Sequence, residues 1–300
     1  MIIALVSSLF LSVSCEKEDD PMEQNETPSE MTIAEIASSN DDFSILVEAL
    51  VKADLVNTLS GEGNFTVFAP DNSAFMNLFD DLGVNGIEDL SAEALKPILL
   101  YHVLGESMPS NMITNGYYSS LSPSQGSTVS MYISTGDGVS INSAASVTSA
   151  DIQASNGYIH AIDAVILPPT AVDIAISNSN FSYLVEAVVK AGLVETLSAP
   201  GPYTIFAPTN EAFEMLFVEL GVSGIEDIPA ESLIPILQYH VVSGNVLSSD
   251  LVEGSVATLN GDVEFKLADK VTINDSSEVI ATDIQGTNGV IHVIDQVLIP

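Results

Sequence analysis

The sequence predicts an α+β fold built twice in tandem. Three observations predict it: the chain repeats itself at a domain-length period, helical periodicity opens each copy, and strand-like alternation closes each copy. Phe43-Ser-Ile-Leu-Val-Glu-Ala-Leu-Val-Lys-Ala returns 138 residues later as Phe181-Ser-Tyr-Leu-Val-Glu-Ala-Val-Val-Lys-Ala. From Phe43 to Leu104, 40 of 62 positions match their partners at Phe181 to Val242. The match resumes from Asp151 and Asp283 at an offset of 132, so the first copy holds six extra residues between Leu104 and Asp151. A period of this length is a whole domain rather than a solenoid unit. Domain 1 is read as residues 31–168 and domain 2 as residues 169–300.

Each copy reads in the same order. Thr32-x-x-Glu35 and Thr170-x-x-Asp173 are capping-box patterns that open a short helix. Phe43, Leu46, Val47, Leu50 and Val51 then fall at helical spacing on one apolar face. Phe65-Thr-Val-Phe-Ala-Pro70 reads as a strand that runs into a turn. A helix follows over 73–82, then another from Ser91 that Pro97 should kink or split. Val129, Met131 and Ile133 alternate with polar neighbours, and Ile159 to Ile166 reads as a further strand. Asn156-Gly157 and Asn288-Gly289 are dipeptides of a tight hairpin.

Six lysines and no arginine face 41 acidic residues, a formal charge of 6 − 41 = −35. Such a chain is not a nucleic-acid binder, because that affinity rests on cations set against phosphates. It also lacks the basic patch that holds proteins to anionic lipid. At 46% hydrophobic residues it is not a disordered acidic tail. Acidic surfaces resist association at high ionic strength. A rival use of the charge is divalent-cation bridging, but no D-x-D-x-D spacing marks a dedicated site.

The sole cysteine, Cys15, follows an apolar run from Ile2 to Leu11 that is too short to span a bilayer. The layout resembles a bacterial lipoprotein signal, with residues 1–14 removed and Cys15 lipidated. Ser12 stands where such signals usually carry Leu, and no Lys or Arg precedes the apolar run. Residues 15–30, rich in Pro, Asn, Glu and Thr, read as a disordered acidic tether. Lys17 followed by acids resembles the export signal that sends some lipoproteins to the outer face of the outer membrane. The expected location is therefore an outer-membrane lipoprotein on the cell surface or in the periplasm, held to the membrane only through its lipid.

Phe65-Thr-Val-Phe-Ala-Pro-Asp-Asn-Ser-Ala-Phe75, with Tyr203 to Phe213 in copy two, resembles the first landmark of the fasciclin domain family. Tyr101-His102 and Tyr239-His240 match its central Tyr-His. Asn156 to Asp163 and Asn288 to Asp295 match its second landmark. The resemblance covers nearly everything from Met31 onward. It implies a β-sandwich or wedge flanked by helices, and a role in adhesion or recognition at a cell surface or matrix rather than catalysis. The implied partners are a cell-surface or matrix protein or a polysaccharide.

All four histidines lie in these landmarks. On a strand, His160 and Asp163 point to opposite faces, as do His292 and Asp295, so neither pair chelates one ion. His102 and His240, in apolar surroundings, read as hydrogen-bonded core residues. No nucleophile elbow, phosphate loop, H-E-x-x-H or EF-hand pattern occurs, so no catalytic residue, metal or cofactor is expected. Some animal members carry integrin-directed elements near the Tyr-His and at an Asp-Ile. Carried over, these are Tyr101, His102, Asp151, Ile152, Tyr239, His240, Asp283 and Ile284, although the flanking residues depart from the animal pattern. Tyr117 and Tyr118, in a segment read as a loop, could stack on a sugar or pack as core. Finally, Pro168-Pro169 between the copies reads as a semi-rigid spacer that restricts the interdomain angle.

Overall fold

The structure is a computed structural model and describes residues 30–300. The segment read as a signal (1–14), Cys15 and the tether up to residue 29 lie outside the described residues. Domain 1 comprises α1 (Ile33–Ser39), α2 (Ser44–Lys52), α3 (Val56–Ser60), β1 (Phe65–Pro70), α4 (Asn72–Leu82) and α5 (Ala92–Tyr101). It continues through β2 (Val103–Leu104), β3 (Gly116–Ser124), β4 (Ser127–Ser134), β5 (Ser140–Ile141), β6 (Ala145–Ala154) and β7 (Gly157–Ile162). Domain 2 repeats the order as α6 (Ala171–Ser177), α7 (Ser182–Lys190), α8 (Val194–Ser198), β8 (Tyr203–Pro208), α9 (Asn210–Leu220) and α10 (Ala230–Tyr239). Its remaining strands are β9 (Val241–Ser243), β10 (Gly254–Thr258), β11 (Gly261–Leu267), β12 (Val271–Ile273), β13 (Ser277–Gln285) and β14 (Gly289–Ile294). The α+β order expected from the sequence is the one observed.

Local chemistry accounts for the helix ends. Thr32 and Thr170 both form complete capping boxes with Glu35 and Asp173. Asp71 and Thr209 cap α4 and α9, and both helices stop at a glycine in the left-handed region, Gly83 and Gly221. Pro97 does not split its helix: α5 runs unbroken through it, as α10 does through Pro235. The carbonyl each proline leaves unpaired, four residues back at Glu93 or Glu231, belongs to an exposed residue in the first turns, where solvent can satisfy it.

In domain 1 the strands β1 to β7 close into a barrel in sequential order. β1 pairs antiparallel with β2 and parallel with β7, and the Leu104–Ser120 pairing of β2 with β3 completes the ring. Domain 2 has the equivalent order, β10-β11-β12-β13-β14-β8-β9, left open between its two edges. The predicted strand over 159–166 is shorter and starts earlier, and the segment read as a loop around Tyr117 is strand β3. Each domain has two core clusters. In domain 1, Val67 and Ala69 face the helices with Phe43, Leu46, Leu50, Phe75 and Leu99. Phe68 alternates to the other side and fills the barrel with Tyr101, Met131, Ile133 and Ile141. β1 is thus covered on both faces, the condition for parallel pairing with β7.

The Asn-Gly dipeptides hold the helical layer to the barrel. The buried Asn156 side chain accepts from the Ile33 amide and donates to the carbonyls of Leu59 and Gly61, each at 2.9 Å. It thereby satisfies a free donor at the start of α1 and two carbonyls around the end of α3. Asn288 does the same for Ala171, Leu197 and Ala199. Gly157, at φ +146°, lies so close to β1 that an added Cβ would sit 1.9 Å from the Phe65 carbonyl oxygen. At Gly289 the corresponding distance to the Tyr203 oxygen is 2.2 Å.

Gly157→Ala should therefore cost domain 1 about 3 kcal/mol or more, since β1 and β7 must separate to admit the methyl group. Asn156→Ala should also lower stability, by leaving buried donors and acceptors unpaired. Urea unfolding measures both, and an unchanged midpoint in either variant would contradict this account of the dipeptide.

Candidate functional site

The Tyr-His segment ends α5 and α10. Tyr101 is fully buried; its hydroxyl donates to the Ser130 carbonyl and accepts from Asn142 Nδ2 at 2.7 Å. Tyr239 is fixed in the same way by Asp262 and Asn274. His102 Nδ1 lies 2.8 Å from the Ile98 carbonyl, and its Nε2 accepts from the Ile166 amide at 3.1 Å. An amide can only donate, so Nε2 is unprotonated and the ring is neutral with its hydrogen on Nδ1. His240 makes the same pair of bonds with Ile236 and Leu298. Burial pushes both rings down to about 4. All four residues are buried, and their polar side-chain atoms are bonded within their own domain.

The second landmark is equally occupied. His160 is buried, with Nε2 2.9 Å from the Met108 carbonyl and Nδ1 accepting from the Asp151 amide. His292 bridges Val246 and Asp283 in the same way, and burial lowers its affinity for protons. Asp163 lies on the other face, where it accepts from the Ser146 amide at 2.7 Å. His160 and Asp163 are therefore separated as the strand spacing requires. Among the described residues no group of three His, Cys, Asp or Glu is placed to hold a metal ion.

The Asp-Ile positions form a bulge. Asp151 and Asp283 both sit at φ +61°, where β6 and β13 shift register against their neighbours. Partial burial works to raise the Asp151 carboxyl, but the hydroxyl and amide of Ser110 outweigh it and hold the group below its ordinary value. Ser248 donates to Asp283 through the same two groups. Ile152 and Ile284 turn into the helix-side cores. The dipeptide is therefore not a continuous exposed ligand: its aspartate locks a loop and its isoleucine is packed.

Tyr117 and Tyr118 do not form a platform, because consecutive residues of β3 project to opposite faces. Tyr118 packs against the barrel core, its hydroxyl bonded to Thr114. Tyr117 crosses to domain 2, packs against that domain's core and accepts from Asn178 Nδ2 at 2.9 Å. Tyr132 lies against it with ring centroids 5.0 Å apart, and burial pushes the Tyr117 phenol up to about 12.

The six extra residues of domain 1 extend this same hairpin. Tyr117 opposite Tyr132 corresponds to Ser255 opposite Glu264, but β3 and β4 run on to a turn at Gln125-Gly126, while β10 turns into β11 at Leu259-Asn260. This hairpin and the β5–β6 turn both reach domain 2. Ser124 Oγ donates to the Gly286 carbonyl at 2.9 Å, Ser130 Oγ accepts from the Gln285 amide at 2.9 Å, and Ser143 Oγ donates to the Ser177 carbonyl at 2.9 Å. The Pro168-Pro169 spacer is thus not alone in setting the interdomain angle. The sequence held a signal for this interface, the six-residue excess, but no pattern showing where it would dock.

The fasciclin domain model matches residues 41–168 and again 179–300. The chain belongs to the fasciclin domain family. A protein of Synechocystis sp., sll1483, is 47% identical over 133 residues, covering 44% of this chain and 73% of its own. Transforming growth factor-beta-induced protein ig-h3 of Sus scrofa is 33% identical over 282 residues, 91% of this chain but 38% of its own length. Among solved structures, the fasciclin domain pair of the insect cell adhesion molecule Fasciclin I superposes with a TM-score of 0.53 at 18% identity, covering 87% of this chain and 98% of that one. That likeness is one of fold, and it extends to the tandem pair. The fasciclin landmarks of this chain are built into its framework rather than displayed on its surface.

Two outcomes follow. The folded values of His102 and His240 lie below the ordinary 6.5, so on acidification the unfolded chain takes up protons that the folded chain excludes. Stability should fall as pH drops from 6.5, by about 2 kcal/mol per histidine at pH 5, above the main carboxylate range. Urea unfolding of the protein and of His102→Gln across that range checks this, and equal slopes would contradict it. Second, Tyr117→Ala with Ser130→Ala should broaden the distribution of shapes seen by small-angle scattering more than Gly-Gly in place of Pro168-Pro169 does. The reverse order would return the restraint to the spacer.

Proposed function

We propose that this protein is a non-catalytic adhesion or binding module of the bacterial cell envelope, tethered by a lipid on Cys15. One observation carries the reading: the landmark side chains that could do chemistry are all committed to the protein's own backbone. What remains facing outward is a docked domain pair with a surface rich in carboxylates. Two of the few lysines, Lys52 and Lys190, are themselves turned onto carbonyls of the same domain. Family membership and the fold of an insect cell adhesion molecule support the adhesion role. A docked pair also suits bivalent contact, in which the second attachment becomes intramolecular and avidity rises.

A second reading, an envelope accessory protein that binds polysaccharide, is favoured by a groove of about 510 Å³ beside the spacer. Asn142, Ser143 and Asp173 line it with polar groups, and Leu167, Pro169 and Ile176 with apolar ones. Junctions between domains are common places for ligands of that mixed character. Cell-attachment and glycan-array assays on residues 31–300 separate the two readings. Cys15→Ser should leave the protein folded but move it from the membrane fraction to the soluble one. Retention of the serine variant in membranes would overturn the lipid anchor.

A further inference from the structure

The two domains are copies, and the face that receives the hairpin exists twice. In domain 2 that face contains Ser177, Asn178 and Gln285, all buried. The matching positions of domain 1 hold the same residue types, Ser39, Asn40 and Gln153. There Ser39 is exposed, and Asn40 and Gln153 are half-buried. Local geometry is shared as well. Asn40 and Asn178 each accept from the amide two residues on at 3.0 Å, which leaves Nδ2 as the outward donor. Asn178 gives that donor to Tyr117, whereas Asn40 Nδ2 has no partner among the described residues.

The strand edge repeats the pattern. Gln285 pairs with Val290 in a register that turns its amide away from β14 and onto Ser130. Gln153 pairs with Tyr158 in the same register, so its amide points off the edge of β6. β5 covers only the start of β6, at Ala145 and Ser146, the Val147 amide donates to the Val139 carbonyl, and among the described residues no strand pairs with this edge beyond that point. An open edge is a template for another strand.

We propose that this face of domain 1 receives a β-hairpin of the β3–β4 type from a partner chain, itself a fasciclin-type domain with a long hairpin. Asn40 Nδ2 would donate to the partner's tyrosine hydroxyl, and the Gln153 amide to a serine hydroxyl. The carbonyls of Ala154 and Ser155 would accept from the hairpin tip, as those of Gly286 and Thr287 accept from Ser124. Because the last two contacts use main chain only, the change of residue type there costs nothing. Ser107, where domain 2 has Asn245, removes one peripheral contact to Gln125.

Domain 2 of a second copy is not such a partner. Ser255 and Glu264 replace the tyrosine pair, and its hairpin turns too early to reach across. Copies of this chain therefore do not stack end to end into a filament, although the interface is of the heterologous kind that could. Domain 2 lacks the donating hairpin, and domain 1 keeps the receiving face.

The test is an NMR titration of the isotope-labelled full chain with a peptide of residues 114–136. The peptide is closed by a disulfide between added terminal cysteines, and its hairpin is established from its own spectra. Saturable shifts are expected at the Asn40 side-chain amide and at the Gln153 and Ser155 amides. Asn40→Ser keeps a capping oxygen but is too short to reach the tyrosine hydroxyl; combined with Gln153→Pro it should weaken binding at least tenfold, while Asn178→Ser should not. A folded peptide that shifts nothing in domain 1 would overturn the proposal, as would binding that ignores both substitutions. Shifts confined to Asn178 and Gln285 would mean displacement of the resident hairpin and would also overturn it. So would binding that appears only when residues 1–29 are removed, which would give the face to the leading segment.

Discussion

Each domain depends on one buried amide side chain. Asn156, and Asn288 in the second copy, ties a hairpin turn of the barrel to the start of one helix and the end of another through three hydrogen bonds. These are groups that helices leave unpaired at their termini and that burial makes costly to abandon. The glycine that follows lets β7 lie against β1 at a distance no side chain permits. With that corner in place, β1 is covered on both faces and the Tyr-His segment is carried into the core behind it. The strongest recurring dipeptide of the sequence is thus a joint between layers as much as a turn.

The same logic explains how residues usually associated with catalysis come to serve as internal bridges here. All four histidines bridge a carbonyl and an amide from different segments, a task suited to a neutral imidazole with one donor and one acceptor. At His102, His240 and His292 burial favours that neutral form, and the hydrogen bonds fix the tautomer. The price is a sensitivity to acid built into the core. The aspartates of the bulges act similarly, with carboxylates fastened to a serine across the loop, so a motif legible as a ligand becomes a latch.

The two copies differ most where the chain is longest. A six-residue extension of one hairpin, together with an aromatic pair at its shared base, docks the two copies, because hydroxyls and a tyrosine meet the next domain's strand edge and helix end. Where the extension is missing, in domain 2, a glutamate and a serine occupy the aromatic positions. Equivalent faces consequently differ: one edge is covered by a neighbouring domain, and its twin has no such cover among the described residues.

The sequence by itself determined the tandem repeat, the order of helices before strands, the capping boxes and the family, because these follow from local periodicity and from residues compared along one chain. It also separated His160 from Asp163 by strand spacing alone. It did not locate the corner asparagines' partners, which lie about a hundred residues away in sequence. It left Pro97 to kink or split its helix, where solvent access to the freed carbonyl lets the helix continue. It left Tyr117 and Tyr118 in a loop, open between a sugar platform and core, and placed Tyr101 and His102 as possible contacts. Only tertiary structure decides those positions, because burial, and the choice between a surface contact and an internal bond, depends on what folds against a residue rather than on its neighbours in the chain.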